Sequence, residues 1–206
     1  MSDCTRIFRN FAKRIAFAAY PKPMNLATMG KGSLILFPRR LQGAHAINIG
    51  EDVIINSHGW ISAVERYGVQ TFKPTIHIGN HVRIGRHTII TAIDFVSIGE
   101  GCLFSEQVFI SDHAHSAIPG PLPPGRQSLV SSGRVDIGRS CFVGIRSVIM
   151  SGVTLGDYCV VGANSVVTHS FPAGSVIAGA PARLLRTLPI ATVSPQERTE
   201  IAPDSL

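Results

Sequence analysis

The feature that most constrains the fold of this chain is a six-residue period between positions 135 and 172. Aliphatic residues recur every six positions, and a mostly small residue follows each of them four positions later. The aliphatic series is Ile137, Val143, Ile149, Leu155, Val161 and Val167, and the second series is Cys141, Ser147, Val153, Cys159, Ser165 and Phe171. This spacing fits neither a helix of 3.6 residues per turn nor a two-residue alternation. A three-faced coil of 18 residues does fit, because each hexapeptide forms one face and small residues allow the corners to turn. The period therefore predicts a parallel β-helix.

Composition agrees with this prediction and limits the possible partners. The chain has 206 residues, of which 45% are hydrophobic and only 16% charged, and its 20 glycines suit the many corners of a solenoid. The net charge of +6 comes without a dense basic block beside stacking aromatics, which favours a small anionic ligand over nucleic acid. The sequence contains no run of about 18 apolar residues, so no membrane-spanning helix is predicted. Basic residues interrupt the apolar stretches near the N-terminus, so no signal peptide is predicted either. We therefore expect a cytoplasmic protein.

The sequence divides into three segments. Residues 1–32 form a predicted N-terminal helical segment, because residues 5–20 place apolar side chains on one helical face and basic ones opposite. This helix either packs on the protein or on a neighbouring subunit, or makes weak contact with a membrane surface. Residues 33–186 form the β-helix domain, from which the Pro/Gly/Ser-rich residues 114–134 are predicted to leave as an ejected loop. Residues 187–206 carry no period and are predicted to be a flexible tail.

Two irregularities interrupt the repeat. The hexapeptide rhythm begins at Ile47, and residues 56–75 are predicted to be an insertion at a corner. This insertion contains Trp60, the only tryptophan, so its aromatic residues either line a substrate cleft or cover the open end of the helix. A slip of two residues is predicted around positions 93–96.

Three of the four cysteines fall in the inward column of small residues: Cys102, Cys141 and Cys159. Adjacent coils bring the last two close enough for a disulfide by distance, but parallel stacked side chains seldom provide the required torsion. We predict buried, reduced thiols.

His113 is the candidate general base among eight histidines. It lies where the regular repeat gives way to the ejected loop, so its imidazole is expected to be partly exposed and near neutral in pKa. Asp112 and Glu106 are nearby carboxylates that are candidates to orient the imidazole.

A metal site is the rival use for the histidines. The pairs His77/His81, His81/His87 and His113/His115 could supply imidazole ligands, and catalytic zinc takes three protein ligands. Most of these histidines occupy corners that are ordinarily solvated, and the last pair shares a face only in an extended segment. We therefore expect no metal.

The repeat, the segment GANSVVTHSFPAGSVIAGAPARLLR at residues 162–186 and the motif SDHAHS at residues 111–116 closely resemble the hexapeptide-repeat acyltransferases. The nearest group is similar to the maltose and galactoside O-acetyltransferases and their polysaccharide-modifying relatives. The resemblance covers roughly residues 45–187 and implies a left-handed β-helix. It also implies a homotrimer with acetyl-CoA, the acyl-donor substrate, in the groove between neighbouring prisms. In this family a histidine at the position of His113 deprotonates a sugar hydroxyl of the acceptor.

The resemblance also implies which residues contact coenzyme A: Phe142, Gly144, Ala163, Ser165, Ala180, Arg183 and Arg186. The two arginines suit a phosphate in their own right. Three positions depart from the family pattern, because Phe142 replaces a tryptophan, Ile145 a serine and His169 a lysine that approaches the CoA phosphates. The asparagine that often assists the catalytic histidine has no match, and Glu106 or Asp94 is a candidate substitute.

Three other functions remain open at this point. The closest is N-acetylation of an amino sugar, which needs almost the same residues. The others are a metal-dependent enzyme like the carbonic anhydrases built on the same coil, and a non-catalytic β-helix scaffold.

Overall fold

The computed structural model describes residues 25–190, which wind through six coils of a left-handed parallel β-helix. The all-β fold predicted from the six-residue period is therefore confirmed. The predicted N-terminal helix at residues 5–20 and the part of the predicted tail beyond residue 190 lie outside the described residues.

Most of the strands are two to four residues long because the chain turns after each face. In chain order they are β1 (Thr28–Met29), β2 (Leu34–Ile35), β3 (Arg40–Gln42), β4 (Ile47–Ile49), β5 (Ile54–Ile55), β6 (Trp60–Ala63), β7 (Arg66–Tyr67), β8 (Gln70–Thr71), β9 (Thr75–Ile78), β10 (Arg83–Ile84), β11 (Ile89–Ala92), β12 (Phe95–Ile98), β13 (Leu103–Phe104), β14 (Phe109–Ser111), β15 (Ala114–His115), β16 (Leu129–Val130), β17 (Val135–Ile137), β18 (Phe142–Val143), β19 (Val148–Ile149), β20 (Thr154–Leu155), β21 (Val160–Val161), β22 (Val166–Val167), β23 (Ser175–Gly179) and β24 (Ala182–Thr187). Two short 3-10 helices span Ala44–Ala46 and Pro124–Arg126.

Three parallel sheets form the faces of the prism. Face A contains β1, β4, β9, β12, β17 and β20, and face C contains β3, β6, β11, β14, β19 and β22. Face B contains β2, β5, β10, β13, β18, β21 and β23, and β24 folds back antiparallel on β23 at its end. Two antiparallel ladders, β7 with β8 and β15 with β16, lie outside these faces.

The interior consists of the two columns that the sequence period predicts. Every residue of both series is at most 8% exposed. The inward serines keep their hydroxyl groups satisfied, since Ser147 and Ser165 both donate to the carbonyl of Gly162. Cys102, Cys141 and Cys159 are buried and unpaired, as predicted.

Two sequence predictions about the repeat are wrong. The first coil is formed by β1, β2 and β3, well before Ile47, and its residues Met29, Ile35 and Leu41 already follow the six-residue spacing. The predicted insertion at residues 56–75 is too long, because β5 leads directly into β6 on face C, and only residues 64–74 leave the prism. Ile61 follows Ile55 by six residues, so the period itself marks this strand as part of the coil.

Register partners show how long each coil is. Equivalent positions on face A are Thr28, Asn48, His77, Ser97, Asp136 and Thr154. The steps between them are 20, 29, 20, 39 and 18 residues, so only the last has the predicted length. The step of 20 between His77 and Ser97 confirms the slip of two residues predicted at positions 93–96.

All of the additional residues enter at one edge of the prism. In every coil, equivalent positions on faces A and B are six residues apart in sequence, and so are those on faces B and C. Asn48, Ile54 and Trp60 are an example. Every insertion therefore lies where the chain passes from a face C strand to the next face A strand, which we call the C–A corner. The hairpin at residues 64–74 and the ejected loop both leave the helix there, one above the other.

Within residues 25–190, no helix has the length and apolar character needed to cross a membrane.

Candidate active site

Asp112 completes the C–A corner at the point where the ejected loop departs. The third coil carries two additional residues there, and three backbone N–H groups in this region face a coil whose backbone has left the ladder. The carboxylate of Asp112 accepts these hydrogen bonds instead, from the N–H groups of Ile93 at 2.9 Å, Asp94 at 2.8 Å and Phe95 at 2.8 Å. Its side chain is 0% exposed. Because it is buried and bonded to three backbone donors, this carboxylate has a fixed position.

His113 is held by the same carboxylate. Its Nδ1 lies 2.8 Å from Oδ1 of Asp112, and its side chain is 11% exposed. A carboxylate accepts hydrogen bonds, so Nδ1 carries the proton and Nε2 has the free lone pair. Ser111 fixes the backbone of the histidine, because its hydroxyl donates to the His113 carbonyl at 2.7 Å. This pair has the arrangement that a general base requires: an oriented imidazole with an available nitrogen.

Two serines anchor the beginning and the end of the ejected loop to each other. The hydroxyl groups of Ser131 and Ser151 donate to the carbonyl of Asp112 at 2.5 and 2.6 Å. Ser131 lies at the returning end of the loop, and Ser151 follows β19 in the next coil. The backbone on which His113 stands is thus connected to the regular helix on both sides.

The hairpin at residues 64–74 and the ejected loop contact each other. The Tyr67 hydroxyl donates to the carbonyl of Gly125 at 2.6 Å, and its ring meets the edge of His115 at a centroid distance of 5.2 Å. Gln70 makes two hydrogen bonds to the backbone of Leu129, at 2.7 and 3.1 Å. The two excursions therefore form one cover over the outer surface of face C.

A pocket of about 660 Å³ lies between this cover and face C. Its lining consists of Arg40, Gln42, Trp60, Ser62, Val64, Arg66, Tyr67, Ile89, Thr91, Phe109, Ser111, His113, Ala114, His115, Leu129 and Met150. This volume is within the usual range for small-molecule sites, about 300–1,000 Å³.

The floor of the pocket is built by strand alternation. On β6, β11 and β14 every second side chain points outward, which gives one column with Trp60, Ile89 and Phe109 and a second with Ser62, Thr91 and Ser111. The first column is apolar and the second carries hydroxyl groups. Since the second column lies nearer the C–A corner, the polar side of the floor leads to His113.

The structure does not bring Glu106 to His113. Glu106 lies at the opposite edge of face C, between β13 and β14, where its carboxylate is 4.0 Å from Arg86. Asp94 is also separate, since it pairs with Arg134 at 3.2 Å. Of the three carboxylates considered from the sequence, only Asp112 contacts the imidazole.

The residues that the family resemblance assigns to coenzyme A occupy another part of the prism. Gly144 and Ala163 lie at the corner between faces B and C, and Phe142 precedes Gly144 on face B with 39% of its surface exposed. Arg183 and Arg186 lie on β24, and Ala180 is in the turn before it. Ser165 differs from these, because it is buried and its hydroxyl donates to the Gly162 carbonyl at 2.6 Å.

The histidine pairs considered for a metal are dispersed. His81 lies 3.4 Å from Asp52, and the ring of His87 stacks on His58 at 4.8 Å. His113 and His115 have different partners, Asp112 and Tyr67. In the part of the chain that the structure describes, no three His, Cys, Asp or Glu side chains form a group suited to a metal ion.

Sequence reasoning missed two arginines of the pocket, Arg40 on β3 of the first coil and Arg66 in the hairpin at residues 64–74. It named Trp60 as a residue that either lines a cleft or covers an end, and the structure places it in the lining of the pocket. The available signal was the alternation in WISA at positions 60–63, where Ile61 and Ala63 belong to the core and their neighbours point outward.

Comparisons with known proteins identify relatives of this chain. The sequence profile of the family described as the hexapeptide repeat of succinyl-transferase matches residues 134–169. A protein of Escherichia coli (strain K12) named as the lipopolysaccharide biosynthesis O-acetyl transferase WbbJ is 33% identical over 160 residues, which cover 74% of this chain and 78% of that protein. The dTDP-4-amino-4,6-dideoxy-D-glucose acyltransferase of Escherichia coli is 28% identical over 163 residues, covering 79% and 82% of the two chains.

A solved structure shares the fold at lower sequence identity. It is a mutant of AntD, an N-acyltransferase from Bacillus cereus, in complex with dTDP-4-amino-4,6-dideoxyglucose and coenzyme A. The TM-score is 0.68 at 20% identity, and the match covers 81% of this chain and 86% of AntD.

Proposed function

The chain belongs to the hexapeptide-repeat acyltransferase family, and from this premise we propose that it transfers an acetyl group from acetyl-CoA to a sugar hydroxyl. The modified sugar belongs to a cell-surface polysaccharide or a glycoside. The observation that carries this proposal is the Asp112–His113 pair, in which the buried Asp112 holds the imidazole of His113. His113 lines a pocket whose floor presents hydroxyl groups on one side and apolar side chains on the other.

His113 acts as the general base. Asp112 keeps the proton of the imidazole on Nδ1, so Nε2 accepts the proton of the acceptor hydroxyl as that oxygen attacks. A neutral hydroxyl is a weak nucleophile, and removal of its proton in the transition state accounts for about 10²–10⁴-fold in rate. Acetyl-CoA supplies the thioester carbonyl, and the protonated His113 then returns the proton to the leaving thiolate. Backbone N–H groups at a coil edge stabilise the oxyanion.

The position of the CoA-binding residues supports a homotrimer. Gly144 and Ala163 lie at the B–C corner, whereas His113 lies at the C–A corner on the other side of face C. A site that uses both corners forms when the C–A corner of one subunit faces the B–C corner of its neighbour. The outer surface of face B carries the partly exposed side chains of Leu103 and Phe142 in register, which provides apolar area for such contacts.

Residues that fit coenzyme A are present at this corner. Phe142 on β18 offers an exposed ring, and Arg183 and Arg186 on β24, three strands further along the same sheet, offer guanidinium groups for phosphate. The side chain of Ser165 is turned into the core, so only its backbone is available for contact. Three buried unpaired thiols support a cytoplasmic location, where acetyl-CoA is available and thiols stay reduced.

Substitution of the base tests the proposal. Sugars and nucleotide sugars are incubated with acetyl-CoA and the purified full-length protein, and acetylated products are detected by mass spectrometry. We expect His113→Ala to lose about 10²–10⁴-fold in rate while keeping the mass of a folded trimer in solution. His77→Ala is the matched control, because His77 is an exposed histidine on face A. An undiminished rate for His113→Ala would sink this proposal.

N-acetylation of an amino sugar is the second candidate, because one sequence relative acts on such a sugar. Mild alkali separates the two, since it cleaves an acetyl ester and leaves an acetamide intact. Loss of the added 2-carbon group after alkali treatment supports O-acetylation, and its retention supports the second candidate.

A further inference from the structure

The pocket beside His113 carries positive charge that no carboxylate in its lining balances. Arg40 and Arg66 both belong to the lining, together with His113 and His115. None of the sixteen lining residues is an aspartate or a glutamate. A ligand that fills this pocket therefore meets two guanidinium groups without a competing protein anion.

Both guanidinium groups are free of ion pairs within the described residues. Some other arginines are paired with a carboxylate: Arg83 with Asp52 at 2.9 Å, Arg134 with Asp94 at 3.2 Å and Arg139 with Asp157 at 2.9 Å. Glu65 is next to Arg66 in the chain, but its carboxylate is engaged by His45 at 2.9 Å.

Arg40 is positioned by an aromatic ring. The carbon atom at the centre of its guanidinium group lies 5.1 Å from the ring centroid of Trp60. Stacking on an aromatic face uses the plane of the guanidinium and leaves the N–H groups on its edge available. Those edge donors match the two oxygen atoms of a carboxylate or a phosphate.

The spacing of the strands places Arg40 at a distance from the reacting group. β3 is separated from β14, which precedes His113, by three strand steps on face C. At about 4.8 Å per step this is about 14 Å along the helix axis. The pocket thus has room for a sugar whose hydroxyl reaches His113 and whose acidic substituent extends toward Arg40.

We propose that the acceptor sugar carries an acidic group, a carboxylate or a phosphate, that Arg40 and Arg66 bind. This inference rests on the proposed function and adds the chemical class of the acceptor. A sugar acid supplies the carboxylate, and a sugar phosphate or a nucleoside-diphosphate sugar supplies the phosphate.

Binding to the full-length protein tests the proposal without requiring turnover. Calorimetric titrations are made in saturating coenzyme A, which fills the donor site and carries no acetyl group to transfer. Probes are the neutral hexose, its uronic acid and its 1-phosphate in the galactose, glucose and mannose series. We expect at least one acidic probe to bind about 10- to 100-fold more tightly than its neutral hexose, the range expected for charge-assisted hydrogen bonds. A preference for the uronic acid or for the phosphate identifies which source supplies the acidic group.

The variants Arg40→Gln and Arg66→Gln assign the preference to these side chains. Each is expected to remove most of it and to leave binding of the neutral hexose and of coenzyme A unchanged. Arg39→Gln is the matched control, because Arg39 also lies near the Trp60 ring, at 5.9 Å, but does not line the pocket. Its titrations should reproduce those of the unmodified protein.

Three results overturn the inference. In the first, acidic and neutral probes bind equally well, or do not bind, in all three sugar series. In the second, the preference for acidic probes survives both substitutions, and in the third, the substitutions weaken binding of coenzyme A and leave binding of the acidic sugar unchanged. The last result would assign the two arginines to the donor phosphates. His113→Ala keeps the failures distinguishable, since it leaves the charge preference in place and removes only the transfer reaction. If transfer continues in His113→Ala, the proposed function fails independently of the binding result.

Discussion

Asp112→Asn is expected to destabilise the protein strongly, although it changes one carboxylate oxygen to an amide nitrogen. The carboxylate accepts hydrogen bonds from four N–H groups, at 2.8–2.9 Å by the shortest distance to each. These donors are the backbone groups of Ile93, Asp94 and Phe95 and the imidazole of His113. All four point at a side chain that water does not reach.

The magnitude follows from the number of acceptors that remain. An asparagine amide has one oxygen with two lone pairs, and its NH₂ group is a donor. At least two of the four N–H groups therefore lose their partner. Hydrogen bonds to charged groups contribute about 1.5–3 kcal/mol each, so two of them account for about 3–6 kcal/mol of the free energy of unfolding. For a chain of 206 residues, this corresponds to a decrease in Tm of about 6–24 °C.

Thermal unfolding followed by circular dichroism measures this decrease. Protein concentration is held constant, because self-association makes Tm depend on it. Asp136→Asn is the matched control, since Asp136 points outward from β17 and makes no side-chain hydrogen bond within residues 25–190. Its Tm should stay within about 2 °C of the unmodified protein, as is usual for surface substitutions. If Asp112→Asn stayed within the same margin, the carboxylate would not be what completes the C–A corner.

Two further predictions concern groups away from the pocket. The Glu106→Gln variant should transfer acetyl groups at a rate within about twofold of the unmodified protein, because Glu106 lies across face C from His113. A loss of tenfold or more would show that Glu106 takes part in the reaction. In the native protein Cys102, Cys141 and Cys159 should not react with a thiol reagent, because they are at most 1% exposed and the Cys102 thiol together with burial raises the pKa of Cys141 to about 12. Guanidinium should make all four thiols react, and native labelling of more than one would contradict the buried column.

The interior of the fold could be predicted because the sequence repeats it directly. Ile137 and Cys141 define columns that return every six residues, so burial of one position predicts burial of the others. The first coil was missed although Met29, Ile35 and Leu41 keep the spacing, because a glycine follows only the first of them. Where the corner glycine is absent, a six-residue spacing resembles ordinary apolar sequence.

The site was only partly predictable. Asp112 and His113 are adjacent in sequence, so their contact could be anticipated, and the motif SDHAHS suggested the role that we propose for His113. That the carboxylate also accepts three backbone hydrogen bonds depends on the two additional residues in the previous coil. Neither segment alone contains this information.

The pocket could not be predicted because it joins distant positions. Arg40, Trp60, Ile89 and Phe109 stand in one column only because successive members are 20, 29 and 20 residues apart. The offset of 29 depends on the length of the hairpin at residues 64–74, and each offset of 20 depends on two additional residues at the C–A corner. The sequence period specifies neither. The contact between Tyr67 and Gly125 depends in addition on how both excursions fold.

Confining every insertion to the C–A corner separates the parts of this chain that can vary from those that cannot. Lengthening the hairpin or the ejected loop changes the roof of the pocket but leaves the inward columns and their hydrogen-bonded ladder in place. Changes in these two segments can thus alter the proposed acceptor pocket while the corner that we propose for coenzyme A stays intact. Exchange of residues 64–74 and 114–134 between relatives would accordingly alter the roof of the pocket without disturbing the coils beneath it.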